Sequence, residues 1–310
     1  MSFLLAISVF LSIAIILAVS LNLIMGYGGM VSIAHGAMMG VGGYTAAVIS
    51  IRTGINILWA YPIGALAAAL IGGLFMLATA RLGMDEFILA SFAFQMVLIE
   101  AISRWTAVTN GTRGLSGVPR PAVLGTPLVA LPHYATFASL IALIAVVLFV
   151  VVGRSPFGLA LRAMRESEAG VKSVGKNPVR LKVTAFALGS AFAGIAGGLM
   201  ASMITFIHPD NFSVFLSIVA IAYLLIGGLG NMYGAIVGAL FLISLPEIIK
   251  SFEFVPSNLM GPVQQITYGL VLMLFVWFRP EGILPEKPII AARHLVERRS
   301  AADQKVELSA

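Results

Sequence analysis

There is no cysteine in these 310 residues, which excludes disulfides, iron–sulfur clusters and thiolate chemistry. Charge is scarce as well. Only 10% of the residues are Asp, Glu, Lys or Arg, against about 25% in a soluble domain. Apolar residues make up 59% and the mean hydropathy is +1.01. No polar stretch is long enough to bury a soluble core of its own, so the chain reads as one integral membrane domain. Acids are nearly missing from the apolar runs. Only Glu100 and Glu247 fall in them, each near a run's end and with no basic residue at helical spacing inside the membrane. A carrier driven by protons or sodium needs carboxylates near the midplane. Energy for transport is therefore expected from outside the spans.

What is present is a series of apolar runs of the length a helix needs to cross the hydrocarbon core, about 17–25 residues. They lie near 3–24, 57–80, 87–103, 135–153, 183–203, 212–229, 233–249 and 264–278. A ninth, 34–50, carries Gly36, Gly40, Gly42 and Gly43, a composition suited to close backbone packing or to a broken helix lining a cavity. It either spans or re-enters. The expected architecture is all-α and polytopic, with about 9 (8–10) transmembrane helices. Residues 1–278 form the membrane domain and 279–310 a tail. The first run lacks the basic flank and cleavage site of a secretory signal and is expected to stay in the mature protein.

Between two of these runs sits a basic island, Arg154 to Lys182. It holds Arg154, Arg162, Arg165, Lys172, Lys176, Arg180 and Lys182 against Glu166 and Glu168. Basic loops stay in the cytoplasm. Four runs follow it, so the tail is cytoplasmic too, 104–133 is outside, and the N-terminus is outside if 34–50 spans. Ser155-Pro156 and Asn177-Pro178 each combine an N-cap residue with proline at the first helical position, so a short helix is expected from 156 and the next span from 178. Arg162 and Glu166 stand one turn apart and can pair.

Several motifs fail on chemistry. Gly170 to Lys176 fits the opening of a phosphate-binding loop, but Asn177 stands where a magnesium-binding Ser or Thr belongs, Pro178 follows, and no strand precedes it. Gly228 to Gly234 has its third glycine one place late for a dinucleotide fingerprint and reads as a tight turn between helices. His35, His133, His208 and His294 are far apart, and no metal site or catalytic group is expected. Small residues recur every four positions in Gly36/Gly40, Gly194/Gly198, Gly230/Gly234 and Gly234/Gly238, which reads as close packing. Gly40 to Gly43 is echoed in Gly194 to Gly197. The polar groups deepest in the runs, Asn22, His35, Tyr44 and Gln95, are the candidates for a translocation path.

Asn22 to Gly36 followed by Gly43 to Ala47, Arg154 to Gly158 with Leu161 to Glu166, Gly175 to Asn177, Ala193 to Leu199, Pro209 to Ser217, Gly227 to Gly230 and Phe278 to Gly282 together resemble the M-type permease subunit of branched-chain amino acid ABC importers. The resemblance runs through nearly the whole chain in order. It implies an importer permease fold in the bacterial inner membrane. Its partners would be a second, H-type permease, two cytosolic ATPase subunits that hold ATP and magnesium, and a periplasmic binding protein, with no cofactor in this chain and no nucleic acid. It also implies that Arg165, Glu166, Gly175, Asn177 and Pro178 belong to the loop that docks on the ATPase. Arg113 departs from the family, which usually carries an acid among the glycines there. Relatives of this kind carry leucine, isoleucine and valine, or urea, short amides and small organic acids. A passive channel, or an intramembrane enzyme, is the reading from another class.

Overall fold

The computed structural model describes residues 2–123, 125–251 and 260–286. The tail from 287 on, with His294 and Ser300, lies outside the described residues. Helix α1, Ser2–Asn22, is prolonged by a π turn at Leu23–Tyr27. Next come α2 (His35–Thr53), α3 (Ile57–Thr79), α4 (Met84–Arg104) and a single turn, α5 (Thr106–Thr109). After the connecting loop stand α6 (Leu131–Arg154), α7 (Pro156–Glu166), α8 (Glu168–Ser173) and α9 (Pro178–Ile204). Helices α10 (Val214–Gly227), α11 (Met232–Ser251) and α12 (Met260–Phe278) complete the bundle. Each of the nine apolar runs has become a helix. Seven helices are long and apolar enough to cross a membrane by that measure alone, among the described residues. Helix α2 is diluted by its glycines, and the apolar part of α11, Met232–Pro246, is shorter.

Whether 34–50 crosses is answered by its two ends. The π turn of α1 lies beside α7, where the Arg165 side chain covers Gly29. From there residues 28–34 run back into the bundle, so that His35 meets Ser20 on α1, seven residues before Tyr27 and about 10 Å deeper by helical rise. Helix α2 then continues to the opposite face, where Arg52 donates to the carbonyls of Ala107 and Val108 of α5. The segment before α2 turns back into the bundle, and α2 runs from there to its opposite face. The N-terminus thus lies on the face opposite α7.

The centre of the bundle is α2, α3 and α9 in mutual contact, with backbones brought together by glycine. The echoed segments face one another. A Cβ at Gly42 would strike the backbone of Gly194, one at Gly43 would lie 2.9 Å from the Gly197 carbonyl, and one at Gly64 on α3 would lie 2.5 Å from the Gly42 carbonyl. Buried between the helices are Met38, Met39, Phe186 and Leu199. Above them Tyr61, Tyr134 and Ser202 share hydroxyl hydrogen bonds, Ser202 lying 3.1 Å from Tyr134. A second core joins Ala14, Ala18 and Leu21 of α1 to Tyr223, Leu224 and Ile226 of α10 and Ala235 and Leu242 of α11. There Gly227, Gly234 and Gly238 let α10 and α11 touch. The outward faces are apolar: Trp59, Leu66, Leu70, Leu74 and Leu77 on α3, and Ile266, Leu270, Met273 and Trp277 on α12, are exposed at helical spacing, as lipid or a membrane partner requires.

Two expectations are corrected. Glu100 does have a helical partner, because α4 runs on to Arg104 and the two side chains pair one turn apart. Arg162 does not pair with Glu166: it turns inward, its guanidinium 4.0 Å over the Tyr27 ring, while Glu166 sits 76% exposed beside Arg165.

Replacing Gly42 by Leu forces α2 off α9, at about 1–3 kcal/mol or more for an overpacked interface. The detergent-solubilised protein is expected to unfold at lower temperature by tryptophan fluorescence. Gly269→Ala on α12, where a Cβ meets nothing within 4 Å, should leave the transition unchanged.

Candidate functional site

The basic island folds as two short helices hung from the ends of α6 and α9. Helix α7 begins where Ser155 accepts from Gly158 N and Pro156 takes the first position; α9 begins where Asn177 accepts from Val179 N and Arg180 N and Pro178 takes the first position. Between them the chain breaks at Ser167, whose extended backbone ends α7 and whose hydroxyl accepts from Gly170 N at 3.0 Å to start α8. The single short helix expected is therefore two, because Ser167 caps a second start.

Both helices are clipped to the bundle. On α7, Arg165 donates to the Gly26 carbonyl and to Glu286 Oε2 at 2.7 Å. Beneath it, Leu161 and Met164 are buried. On α8, Glu168 pairs with Lys172 at 3.0 Å and with Lys182 of α9 at 2.9 Å, and Lys182 also donates to the Ala80 carbonyl just after α3. Hydrogen bonds from Lys182 first, then Lys172, hold the Glu168 carboxyl below the usual glutamate range. A depressed carboxyl contributes stability above its unfolded value and loses it as pH falls through the folded one, so this clip outlasts mild acidification. The tip beyond it, Ser173 to Asn177, is exposed: Val174 is 71% accessible and Gly175, at φ +76, has open space around it. A cleft of about 560 Å³ runs along the tip, lined by Ala80, Arg81, Lys172, Gly175, Asn177 and Val179. The structure thus gathers Arg165, Glu166, Gly175, Asn177 and Pro178 on one face, with Arg165 and Asn177 building the element and Gly175 at its tip.

The four candidate path residues are all buried, and each has a partner. His35 and Gln95 stand at the start of α2, and Tyr44 lies midway along it. Gln95 Oε1 accepts from Ala37 N at 2.6 Å and its Nε2 donates to the Phe212 carbonyl at 2.7 Å, while Ser217 Oγ of α10 accepts from Gly36 N at 2.8 Å. His35 Nε2 lies 2.9 Å from Ser20 Oγ, and the Tyr44 hydroxyl reaches the Ile207 carbonyl at 3.4 Å. Asn22 stands apart, accepting from Gly230 N at 3.0 Å in the turn between α10 and α11. The stretch before α10 is itself irregular: β4 (Phe206–Ile207) pairs with β1 (Leu115–Ser116) of the loop, and β2 (Ala122–Val123) with β3 (Thr126–Pro127) beside it. Two broken segments, one before α2 and one before α10, therefore meet at Gln95. Among the described residues no group of three or more His, Asp or Glu could hold a metal ion.

The chain that folds into this bundle is matched over residues 3–277 by a family model described as "Branched-chain amino acid transport system / permease component". The chain belongs to this family. The permease protein LivM of Escherichia coli K12, of a high-affinity branched-chain amino acid transport system, is 30% identical over 88% of this chain and 68% of its own length. A probable branched-chain amino acid permease LivM of Methanocaldococcus jannaschii is 28% identical over 76% of this chain and 71% of its own. LivH of Escherichia coli K12 is 23% identical over 87% and 90%. No solved structure matches.

Sequence reasoning missed Glu286, Lys182 as a clip, and Ser217. For Ser217 the Pro209 to Ser217 stretch carried a signal as a motif, but nothing marked its hydroxyl. Removing the Gln95 amide by Gln95→Ala strands the Ala37 N–H and the Phe212 carbonyl, about 1–3 kcal/mol for each buried group left unpaired. A clear drop in melting temperature is expected, whereas Tyr44→Phe, which gives up one 3.4 Å contact, should melt close to wild type. Equal melting in both would remove Gln95 as the junction's tie.

Proposed function

We propose that this permease is one of two membrane subunits of an ATP-driven importer for branched-chain amino acids or a small solute of similar chemistry. Its pathway forms with a second, H-type permease in the bacterial inner membrane. The observation that carries the reading is the helix pair α7–α8. It is clipped to the bundle at both helices, basic, and carries an exposed tip with open space around Gly175, as a lever gripped by another protein must. ATP and magnesium belong to two ATPase subunits that hold this tip from the cytoplasm, and a periplasmic binding protein delivers solute to the face of α5 and β1–β3. Of the two acids in the apolar runs, Glu100 is paired with Arg104 and exposed, which suits energy supplied by ATP, and the side chain of Glu247 lies outside the described ones. Discrimination among solutes rests largely with the binding protein. His35, Tyr44 and Gln95 line the irregular segments beside the path, with Gln95 at the centre, and Asn22 lies beside it at the turn between α10 and α11.

Two experiments bear on this. Gly175→Val places a β-branched residue in the left-handed region, at about 1–2 kcal/mol of strain, on a tip with nothing around it. Leucine uptake by cells is expected to fall about tenfold, the equivalent of about 1.4 kcal/mol in docking, with the permease present in the membrane at its usual level. Unchanged uptake would remove the tip from the ATPase contact. For orientation, single cysteines can be placed in a chain that has none. In intact cells an impermeant maleimide should label Thr112→Cys at once and Ser173→Cys only after permeabilisation; the reverse pattern would invert the protein.

A further inference from the structure

The chain does not leave the bundle after α12. Arg279 N donates to the Phe275 carbonyl at 2.7 Å, Gly282 turns at φ +79, and Ile283 N and Leu284 N then donate to the carbonyls of Ile226 and Gly227 at 2.8 and 2.9 Å. These are end carbonyls of α10 that have no helical donor of their own, so the returning strap caps α10. Asn231 Nδ2 holds the strap from the other side, donating to the carbonyls of Leu284 and Pro285 at 3.1 and 3.3 Å. Its course lays Glu286 against Gly230, where any side chain would collide with the carboxylate.

From that position Glu286 faces two arginines of α7. Its Oε2 accepts from Arg165 Nη2 at 2.7 Å, and its Oε1 is 3.4 Å from Arg162 Nε. The side chains of Glu286 and Arg162 are each 19% exposed and that of Arg165 is 29%. The same two arginines reach the end of α1, Arg162 over the Tyr27 ring and Arg165 at the Gly26 carbonyl. One carboxylate thus ties α7 to the turn between α10 and α11. At its other end α10 presents Ser217 to the start of α2, and Gln95 is held to Phe212 just before it. Helix α10 is 14 residues, about 20 Å of rigid rod from the clamp to the polar junction.

We infer that Glu286 is a positioning residue for transport: it locks the C-terminal strap and α10 to α7, so that movement of α7 displaces α10 against the junction at Gln95. The inference rests on the reading that α7–α8 receives the ATPase. Neutralising Glu286 leaves Arg162 facing a partly buried site without its carboxylate and Arg165 with only the exposed Glu166 at 3.4 Å, and α7 and α10 are no longer bound to move together.

The test uses the whole transporter, this chain with its second permease, the ATPase subunits and the binding protein, in lipid vesicles, with labelled leucine uptake and ATP hydrolysis measured on the same sample. In Glu286→Gln, hydrolysis should persist while uptake per ATP falls about fivefold or more, the low end of a coupling free energy between sites. Glu286→Asp, which keeps the charge, should restore part of it. Docking is read separately by cross-linking Val174→Cys to the ATPase. If an otherwise unaltered chain fails to cross-link, the docking reading is wrong and the inference goes with it. If it cross-links and Glu286→Gln leaves uptake per ATP unchanged, the clamp alone is refuted; loss of the cross-link in Glu286→Gln only would make Glu286 an assembly residue and refute it also. Should Glu286→Gln not assemble, Arg162→Gln removes one arm while Arg165 stays on Gly26. The same split at smaller amplitude is expected from it, and an unchanged ratio would overturn the inference.

Discussion

A backbone amide or carbonyl in the hydrocarbon core must find its partner inside the protein, and this fold is arranged around two places where helix cannot supply one. Residues 28–34 enter before α2 and residues 205–213 before α10, both as irregular chain. Gln95 serves both: one amide oxygen accepts from the first turn of α2 and one amide nitrogen donates to the carbonyl at Phe212. Ser217 and Ser91 complete the arrangement, accepting from Gly36 N and Ile33 N. Interrupted spans of this kind are tolerated only where protein or a cavity surrounds them. The surrounding helices α2, α3 and α9 are drawn close by glycine so that little space is left.

The same economy governs the face that carries α7 and α8. The proposed coupling role asks for a helix pair that is stiff at its attachments and free at its tip. Capping residues set both helix starts, buried Leu161 and Met164 seat α7, and Lys182 draws α8 to α9 through Glu168. Ser173 to Asn177 form the exposed tip. Stiffness continues inward, since the strap after α12 caps α10 and α10 ends at the Gln95 junction. On the proposed reading, motion at the tip reaches the Gln95 junction through these short pieces, the strap and α10.

Much of this was legible in the chain, for identifiable reasons. Hydropathy located every long helix because the bilayer imposes one length, and Ser155-Pro156 and Asn177-Pro178 marked true helix starts because capping is a local interaction. The match between Gly40–Gly43 and Gly194–Gly197 had a physical meaning that sequence alone left open, since the two segments pack on each other. What sequence concealed was long-range. Arg162 had a partner available at Glu166 one turn away, yet the fold offered Tyr27 and Glu286, which together bury it better. Glu286 sits in a mixed-charge tail where nothing local distinguishes it, and Gln95 is one polar residue in an apolar run whose two partners lie 58 and 117 positions off.

The account stands on energy entering through α7–α8 and not through the membrane's ion gradients. The most direct measurement is leucine accumulation in vesicles that carry this permease with its second permease and the binding protein, with and without the ATPase subunits. Proton and sodium gradients are abolished by ionophores in both. Accumulation against a gradient is predicted only where the ATPase subunits and ATP are present, and it should be indifferent to the ionophores. Accumulation that proceeds without the ATPase subunits, or that collapses with the ion gradients, would contradict it.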